Sequence, residues 1–139
     1  MIFPPDREAK VLSLFKECDS SELKVKKLIE LGRSLPPMSD TLKTEENRVV
    51  GCQSIVYLHS TIKEEKIYFT ASSEALISSG LAALLIEAYS GLSPETILQS
   101  KPSFLEDLGI YASLSPGRSN GLSSMLLRMQ KDALKSYAL

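Results

Sequence analysis

The chain contains one region of strand-type sequence, and helix-type sequence lies on both sides of it. Residues 48–61 carry β-branched and aromatic side chains at the density of a strand. After a polar turn at residues 63–65, the alternation of Ile67, Phe69 and Ala71 with more polar neighbours predicts a returning strand with one buried face. A single hairpin flanked by helices predicts segregated elements, so we expect an α+β fold with a small antiparallel β-sheet packed against several helices.

Helical periodicity and helix-ending residues divide the rest of the chain. We expect the first two helices to form an antiparallel pair, and the serines and acidic residue at 72–74 to cap the third. A polar loop is expected at residues 38–47, and no internal repeat is present. One core is sufficient for a chain of this length, so residues 1–139 are predicted to form a single domain. The second helix is predicted to begin at residue 21 and to stop within residues 32–35, and the other predicted helices cover residues 6–18, 74–90, 94–99, 104–108 and 119–137.

Charge and hydropathy exclude several classes of function. Sixteen basic residues against 17 acidic ones leave a net charge of −1, which argues against a nucleic-acid binder or a polybasic membrane-surface protein. The longest apolar run, residues 81–86, is far shorter than the roughly 20 residues of a membrane-spanning helix. Charged residues 6–8 stand where a signal peptide would need apolar ones, so export is not expected and the cytoplasm is the predicted location.

The few sulfur and imidazole side chains limit the chemistry. One histidine, His59, and two cysteines, Cys18 and Cys52, cannot supply the four or so ligands of a zinc or iron-sulfur site, so no metal is expected. A Cys52–His59 dyad is not expected, because an extended strand would separate the two residues by roughly 23 Å. His59 is predicted to be a solvated strand residue, and Cys18 a small buried residue of the first helix.

Cys52 differs from Cys18 because it lies in the bend Gly51-Cys52-Gln53-Ser54. Glycine permits unusual backbone angles there, and small or polar residues follow the thiol. Residue chemistry alone leaves both an inert and a reactive cysteine open, because many free cysteines are inert and buried.

Five short blocks add a more specific signal. Together they resemble, in order and spacing, the SufE family of sulfur-acceptor proteins over nearly the whole chain. Two residues differ from the usual family pattern: Tyr57 stands where that family usually has tryptophan, and Glu74 where aspartate is usual. Each difference keeps the chemical type, aromatic in the first case and acidic in the second. The blocks are Ile29-Glu30-Leu31-Gly32, Leu35-Pro36, Gly51-Cys52-Gln53-Ser54, Gly80-Leu81 and Arg118-Ser119-Asn120-Gly121-Leu122.

The resemblance implies a fold shared with IscU-type scaffolds and a role as a sulfur carrier, not as an enzyme. Its partner would be a SufS-like, PLP-dependent cysteine desulfurase, which the carrier stimulates, and Cys52 would take the sulfur as a persulfide. The sulfur would then pass to a SufBCD-like iron-sulfur scaffold complex. No cofactor is expected on this chain, because the PLP belongs to the desulfurase. A single thiol in the matching loop fits a carrier better than a cluster scaffold, since a second nearby thiol would discharge a persulfide.

If Cys52 is the sulfur acceptor, the residues around it have expected roles. If strand alternation extends back to Cys52, the thiol faces the helices together with Val56, Leu58 and Ile62 and is shielded. We then expect residues 48–54 to flip outward on docking, with Gly51 absorbing the backbone change.

Three polar side chains have two possible roles each. Arg118 would stabilise the thiolate or persulfide, or pair with an acidic partner surface; the alternative is a solvated arginine. Gln53 and Ser54 either orient Cys52 or satisfy bent backbone. Two other functions stay open, namely an allosteric module that accelerates the desulfurase without accepting sulfur and a single-cysteine redox sensor.

Overall fold

A computed structural model describes residues 3–138, which contain a two-stranded antiparallel sheet and six α-helices. The predicted α+β class is confirmed. No helix within these residues is both long and apolar enough to cross a membrane. The elements are α1 (Pro5–Leu14), α2 (Ser21–Arg33), β1 (Val56–Lys63), β2 (Lys66–Ser73), α3 (Leu76–Tyr89), α4 (Pro94–Gln99), α5 (Ser103–Asp107) and α6 (Pro116–Ala138), with 3-10 turns at Asp40–Leu42 and Tyr111–Ser113.

The hairpin pairs β1 with β2 in continuous register, from Val56 opposite Ser73 to Lys63 opposite Lys66. The second strand was predicted correctly, since every other residue from Ile67 to Ala71 is buried. The first strand was placed too early. It begins only at Val56, because the chain before it turns and does not extend.

Ile62 is less buried than the strand alternation predicted. It was grouped with the helix-facing residues of the first strand, but it is 49% exposed, whereas Val56 and Leu58 are fully buried. Burial along β1 falls steadily toward the turn. Near the turn, β1 is therefore left uncovered, whereas Ile67 of β2, directly opposite Ile62, is fully buried.

Helix α3 is the centre of the fold. Most of its side chains are buried, and it packs against α1, α2, α6 and β2. The predicted antiparallel pairing of the first two helices is wrong, because α1 and α2 each pack mainly on α3. Their apolar stripes are both covered by the most apolar helix of the chain, which leaves little to bury between them.

Two helix starts differ from prediction and matter for the site. The expected cap at residues 72–74 is wrong: α3 begins at Leu76 after Ala75, which makes no side-chain cap, and Ser73 is still in β2. Helix α6 begins at Pro116, three residues before the predicted start. The Ser115 hydroxyl accepts a hydrogen bond from the Arg118 amide at 3.4 Å, so Arg118 lies in the first turn.

Candidate functional site

Cys52 lies in a six-residue loop, residues 50–55, which we call the Cys52 loop. The segments on its two sides, which we call the loop base, are joined by backbone hydrogen bonds. The Val49 amide donates to the Val56 carbonyl at 2.9 Å, and the Leu58 amide donates to the Asn47 carbonyl at 2.7 Å. The base thus continues the sheet by a short antiparallel contact, and the loop projects from it.

The loop itself is held mainly by side chains. Within the described chain, no backbone N–H of residues 50–55 donates to a carbonyl. The Ser73 hydroxyl donates to the Ile55 carbonyl at 2.9 Å, and the Arg118 guanidinium donates to the Ser54 hydroxyl at 3.1 Å. The Cys52 thiol donates to the Gly121 carbonyl at 3.7 Å. Two of these three bonds come from α6, and the loop amides are left for water or a ligand.

The Cys52 thiol is partly buried against α6. Burial raises the pKa of Cys52 above the ordinary cysteine value, because an apolar environment disfavours the thiolate. The Gly121 carbonyl can accept only from the protonated sulfur, which acts in the same direction. The expected shielding is present, but its cause differs: the strand does not extend back to Cys52, and α6 provides the cover.

Gly51 adopts a backbone conformation that favours glycine, with φ of +97°. A Cβ atom at this position would come within 2.5 Å of the Ser124 Oγ on α6. The neighbouring Val50 side chain is 90% exposed. The turn at Gly51 therefore directs an apolar side chain to solvent and the next side chain, Cys52, toward the protein.

Arg118 connects three elements. Its Nη1 donates to the Ser54 hydroxyl at 3.1 Å and to the Ser78 hydroxyl of α3 at 3.0 Å, and Ser78 is only 6% exposed. Among residues 3–138, Arg118 forms no salt bridge. Its positive charge is therefore not neutralised by a carboxylate of the described chain, and it lies at the end of the loop that carries the thiol.

The structure brings all five predicted site residues together at the N-terminal part of α6: Gly51, Cys52, Gln53, Ser54 and Arg118. Gln53 is exposed, and its side chain lies over Gly117, where a Cβ atom would overlap its Oε1. Neither Gln53 nor Ser54 forms a hydrogen bond to Cys52 within the described part of the chain. The Ser54 hydroxyl instead serves Arg118.

The other candidates lie elsewhere. Cys18 was predicted to be a buried residue of the first helix, but it lies beyond the end of α1 at Leu14 and is only partly buried against the core. It lines a separate groove with Leu23 and Lys26. His59 is partly exposed on β1 opposite Thr70. In the part of the chain that is described, no three His, Cys, Asp or Glu residues are grouped so that they could hold a metal ion.

Two site residues were not identified from sequence. Arg128 and Asp132 of α6 form a largely buried ion pair of 3.0 Å beside the loop base. Their spacing of four residues on a helix is a sequence signal for such a pair. Nothing in the sequence, however, indicated what the pair would contact.

Comparison with known proteins agrees with the motif blocks. The model of the SufE family, described as the Fe-S metabolism associated domain, matches residues 9–133. The chain is 38% identical over 131 residues to "SufE-like protein 1, chloroplastic/mitochondrial" of Arabidopsis thaliana, covering 94% of this chain but only 35% of that protein. It is 33% identical over 130 residues to an uncharacterized SufE-like protein of Synechocystis sp. (strain ATCC 27184 / PCC 6803 / Kazusa), covering 94% of this chain and 82% of the relative.

The fold has a solved counterpart. The solution structure of a hypothetical protein from Thermus thermophilus aligns with a TM-score of 0.79 and 29% identity over the full length of both chains. Since the family model covers most of the chain and the Synechocystis relative matches along most of its own length, this chain belongs to the SufE family, a domain family associated with Fe-S metabolism.

Proposed function

We propose that this protein accepts sulfur on Cys52 from a SufS-like, PLP-dependent cysteine desulfurase, stimulates that enzyme, and delivers the sulfur to a SufBCD-like iron-sulfur assembly complex. One observation carries the proposal. The family's Gly-Cys-Gln-Ser block lies in a loop whose backbone N–H groups donate to no carbonyl of the described chain, and the thiol of that loop rests against α6. Such a loop can move without breaking backbone hydrogen bonds of its own. A reduced thiol is needed, which fits a reducing compartment such as the cytoplasm.

The transfer is an exchange between two sulfur atoms. The Cys52 thiolate attacks the outer sulfur of a persulfide on the desulfurase cysteine. A new S–S bond forms to Cys52, the old S–S bond breaks, and the desulfurase cysteine leaves as a thiolate with the electron pair. The Cys52 proton passes to water or a base, and no external oxidant or reductant is required. The same exchange passes the sulfur on to the next acceptor.

The resting position protects the thiol and also slows this attack. The thiolate is the nucleophile, and burial disfavours it at Cys52. We therefore propose that the loop leaves α6 when the desulfurase docks. The moving part is shorter than the 48–54 segment expected from sequence, because Val49 is buried and bonded to Val56 and the Arg48 carbonyl accepts from α6.

Arg118 is proposed to act on the charged form of the sulfur. In the resting state its guanidinium contacts two neutral hydroxyls, Ser54 and Ser78, and no salt bridge within residues 3–138 neutralises it. A thiolate or persulfide anion brought near it would be stabilised by charge-assisted hydrogen bonding.

The exposed Val50 and Ile55 side chains are proposed to meet the desulfurase. They are 90% and 51% exposed and flank Cys52 in the same loop. An apolar side chain this exposed gains most from burial against a partner. Their contact would hold the loop outward.

The deciding experiment supplies the protein with desulfurase and radiolabelled cysteine in the absence of reductant, followed by peptide mass analysis. An additional sulfur atom is expected on the Cys52 peptide and not on the Cys18 peptide. The Cys52→Ser variant should lose both sulfur uptake and stimulation, and Cys18→Ser is the matched control that should retain both.

The open alternatives predict different results in the same experiment. Full stimulation by Cys52→Ser would indicate an allosteric module and contradict the carrier. Oxidation of Cys52 to a sulfenate or mixed disulfide without desulfurase, with no sulfur uptake when it is present, would indicate a redox sensor.

A further inference from the structure

Arg128 joins the two sides of the loop base to α6. Its Nη1 donates to the Arg48 carbonyl at 3.4 Å, on the segment before the Cys52 loop. Its Nη2 donates to the Leu58 carbonyl at 3.3 Å, on the strand after the loop. Its Nε donates to the Asp132 carboxylate at 3.0 Å, one turn further along α6. One planar group thus contacts both chain segments from which the loop projects.

The guanidinium is held in place by its surroundings. The Arg128 and Asp132 side chains are only 20% and 10% exposed, so water competes little for the hydrogen bond between them. The bond to the Leu58 carbonyl is also partly buried, whereas the bond to the Arg48 carbonyl is exposed. Asp132 occupies the Nε donor and so sets the plane in which the two Nη groups point. Arginine suits this geometry because its donors form a rigid fork, whereas a lysine ammonium acts as a single point of charge.

The same helix also holds the thiol. The Gly121 carbonyl of α6 accepts from Cys52, and Arg118 of α6 donates to Ser54. These contacts place the loop itself near the start of α6, and Arg128 places the loop base further along it. The loop and its base are therefore positioned relative to each other by contacts with the same rigid helix.

We propose that Arg128, oriented by Asp132, is a positioning residue for Cys52. It fixes the loop base on α6, so that the Cys52 thiol of the resting loop stays opposite the Gly121 carbonyl and residues 50–55 move relative to a fixed base. The reaction it serves rests on the proposed function, but the contacts do not. Without Arg128 the base loses both hydrogen bonds to α6 and is held there by its buried apolar side chains alone, so the resting contact of the thiol is weakened.

The test compares the two cysteines within one molecule. The full-length Arg128→Met variant is treated with iodoacetamide, and the modification rates of Cys52 and Cys18 are followed separately by peptide mass analysis. We expect the Cys52 rate to rise about tenfold with the Cys18 rate unchanged, since tenfold corresponds to about the contribution of one hydrogen bond to a charged group. Arg33→Met is the matched control, because Arg33 is an exposed arginine at the end of α2, and it should change neither rate.

A second variant separates positioning from general loss of stability. Arg128→Met alone leaves the buried Asp132 without its partner, which destabilises the fold. In Arg128→Met/Asp132→Leu the pair is replaced by apolar groups, an exchange that is often neutral for stability. The rise at Cys52 should persist there, and Arg128→Lys should restore part of the protection by donating to one of the two carbonyls.

Two results in the Arg128→Met/Asp132→Leu variant would overturn the proposal: an unchanged Cys52 rate, or a parallel rise of the Cys52 and Cys18 rates. Its failure is distinguishable from failure of the proposed function, because the modification assay contains no desulfurase. If Cys52 never receives sulfur but its modification rate depends on Arg128, the carrier proposal falls and the positioning stands. If sulfur is received and the rate does not depend on Arg128, only the positioning falls.

Discussion

Substitution of Gly51 tests whether the Cys52 loop is a separate, weakly held unit. An alanine at a φ of +97° costs about 1–3 kcal/mol of backbone strain. Its Cβ would also meet the Ser124 Oγ at 2.5 Å, and the Ser124 Cβ at 3.4 Å. Both penalties apply only while the loop rests on α6, so Gly51→Ala destabilises the resting position and not the core.

The strain alone sets the expected size of the effect. About 2 kcal/mol corresponds to a roughly 30-fold shift of the balance between a resting and a released loop. We expect the reaction of Cys52 with a chromogenic disulfide to accelerate by up to that factor, measured in a Cys18→Ser background so that one thiol reports. The free energy of unfolding in urea should fall by no more than about 2 kcal/mol, because a released loop escapes the strain.

A double variant divides the two contributions. Gly51→Ala/Ser124→Ala removes the hydroxyl contact and leaves the strain, so it should recover part of the protection; Ser124→Ala alone should resemble the wild type. If Gly51→Ala left both the Cys52 reaction rate and the free energy of unfolding unchanged, the assigned turn at Gly51 would be wrong. The hinge role expected from sequence stays a separate prediction: it requires Gly51→Ala to slow sulfur acceptance from the desulfurase, and an unchanged rate of sulfur transfer would remove it.

Two further predictions concern titration and packing. Because burial raises the pKa of Cys52, the contribution of its protonated thiol to stability should be complete below the ordinary thiol pKa of about 8.5 and decrease as pH rises above it. The free energy of unfolding in urea should therefore fall less steeply with pH in Cys52→Ser than in the wild type. Equal slopes of this free energy against pH would contradict the burial. Gly80→Ala should lower the free energy of unfolding by roughly 3 kcal/mol, because the new Cβ would overlap the Leu28 carbonyl where α2 crosses α3. Gly121→Ala, whose Cβ would make only an ordinary 3.7 Å contact with the Cys52 Sγ, is the control, and an equal loss in both variants would contradict the close crossing.

The elements that could be predicted are those whose pattern repeats within a few residues. Alternation from Ile67 to Ala71 defined β2, and the 94–99 helix has the predicted bounds. Helix and strand periods arise from the local backbone, so a single sequence records them.

Errors arose where a contact from a distant segment decided the local structure. Residues 48–55 have strand-type composition but turn, and their base is held by Arg128 from α6. The start of α3 moved because the Ser73 hydroxyl donates to the Ile55 carbonyl and also accepts from the Ala75 amide. The first two helices share α3 as a partner, which periodicity within each helix cannot reveal.

By itself, the sequence determined the fold class, the second strand and most helices, and it singled out Cys52 by its glycine-flanked block and the scarcity of other thiols. Only the tertiary structure decided what surrounds that thiol. Cys52 and Gly121 are 69 residues apart in the chain, Arg118 and Ser54 are 64 apart, and Arg128 and Arg48 are 80 apart. Such pairs meet because burial of apolar faces brings α6 against the loop base, and that packing depends on the whole core and not on any local pattern.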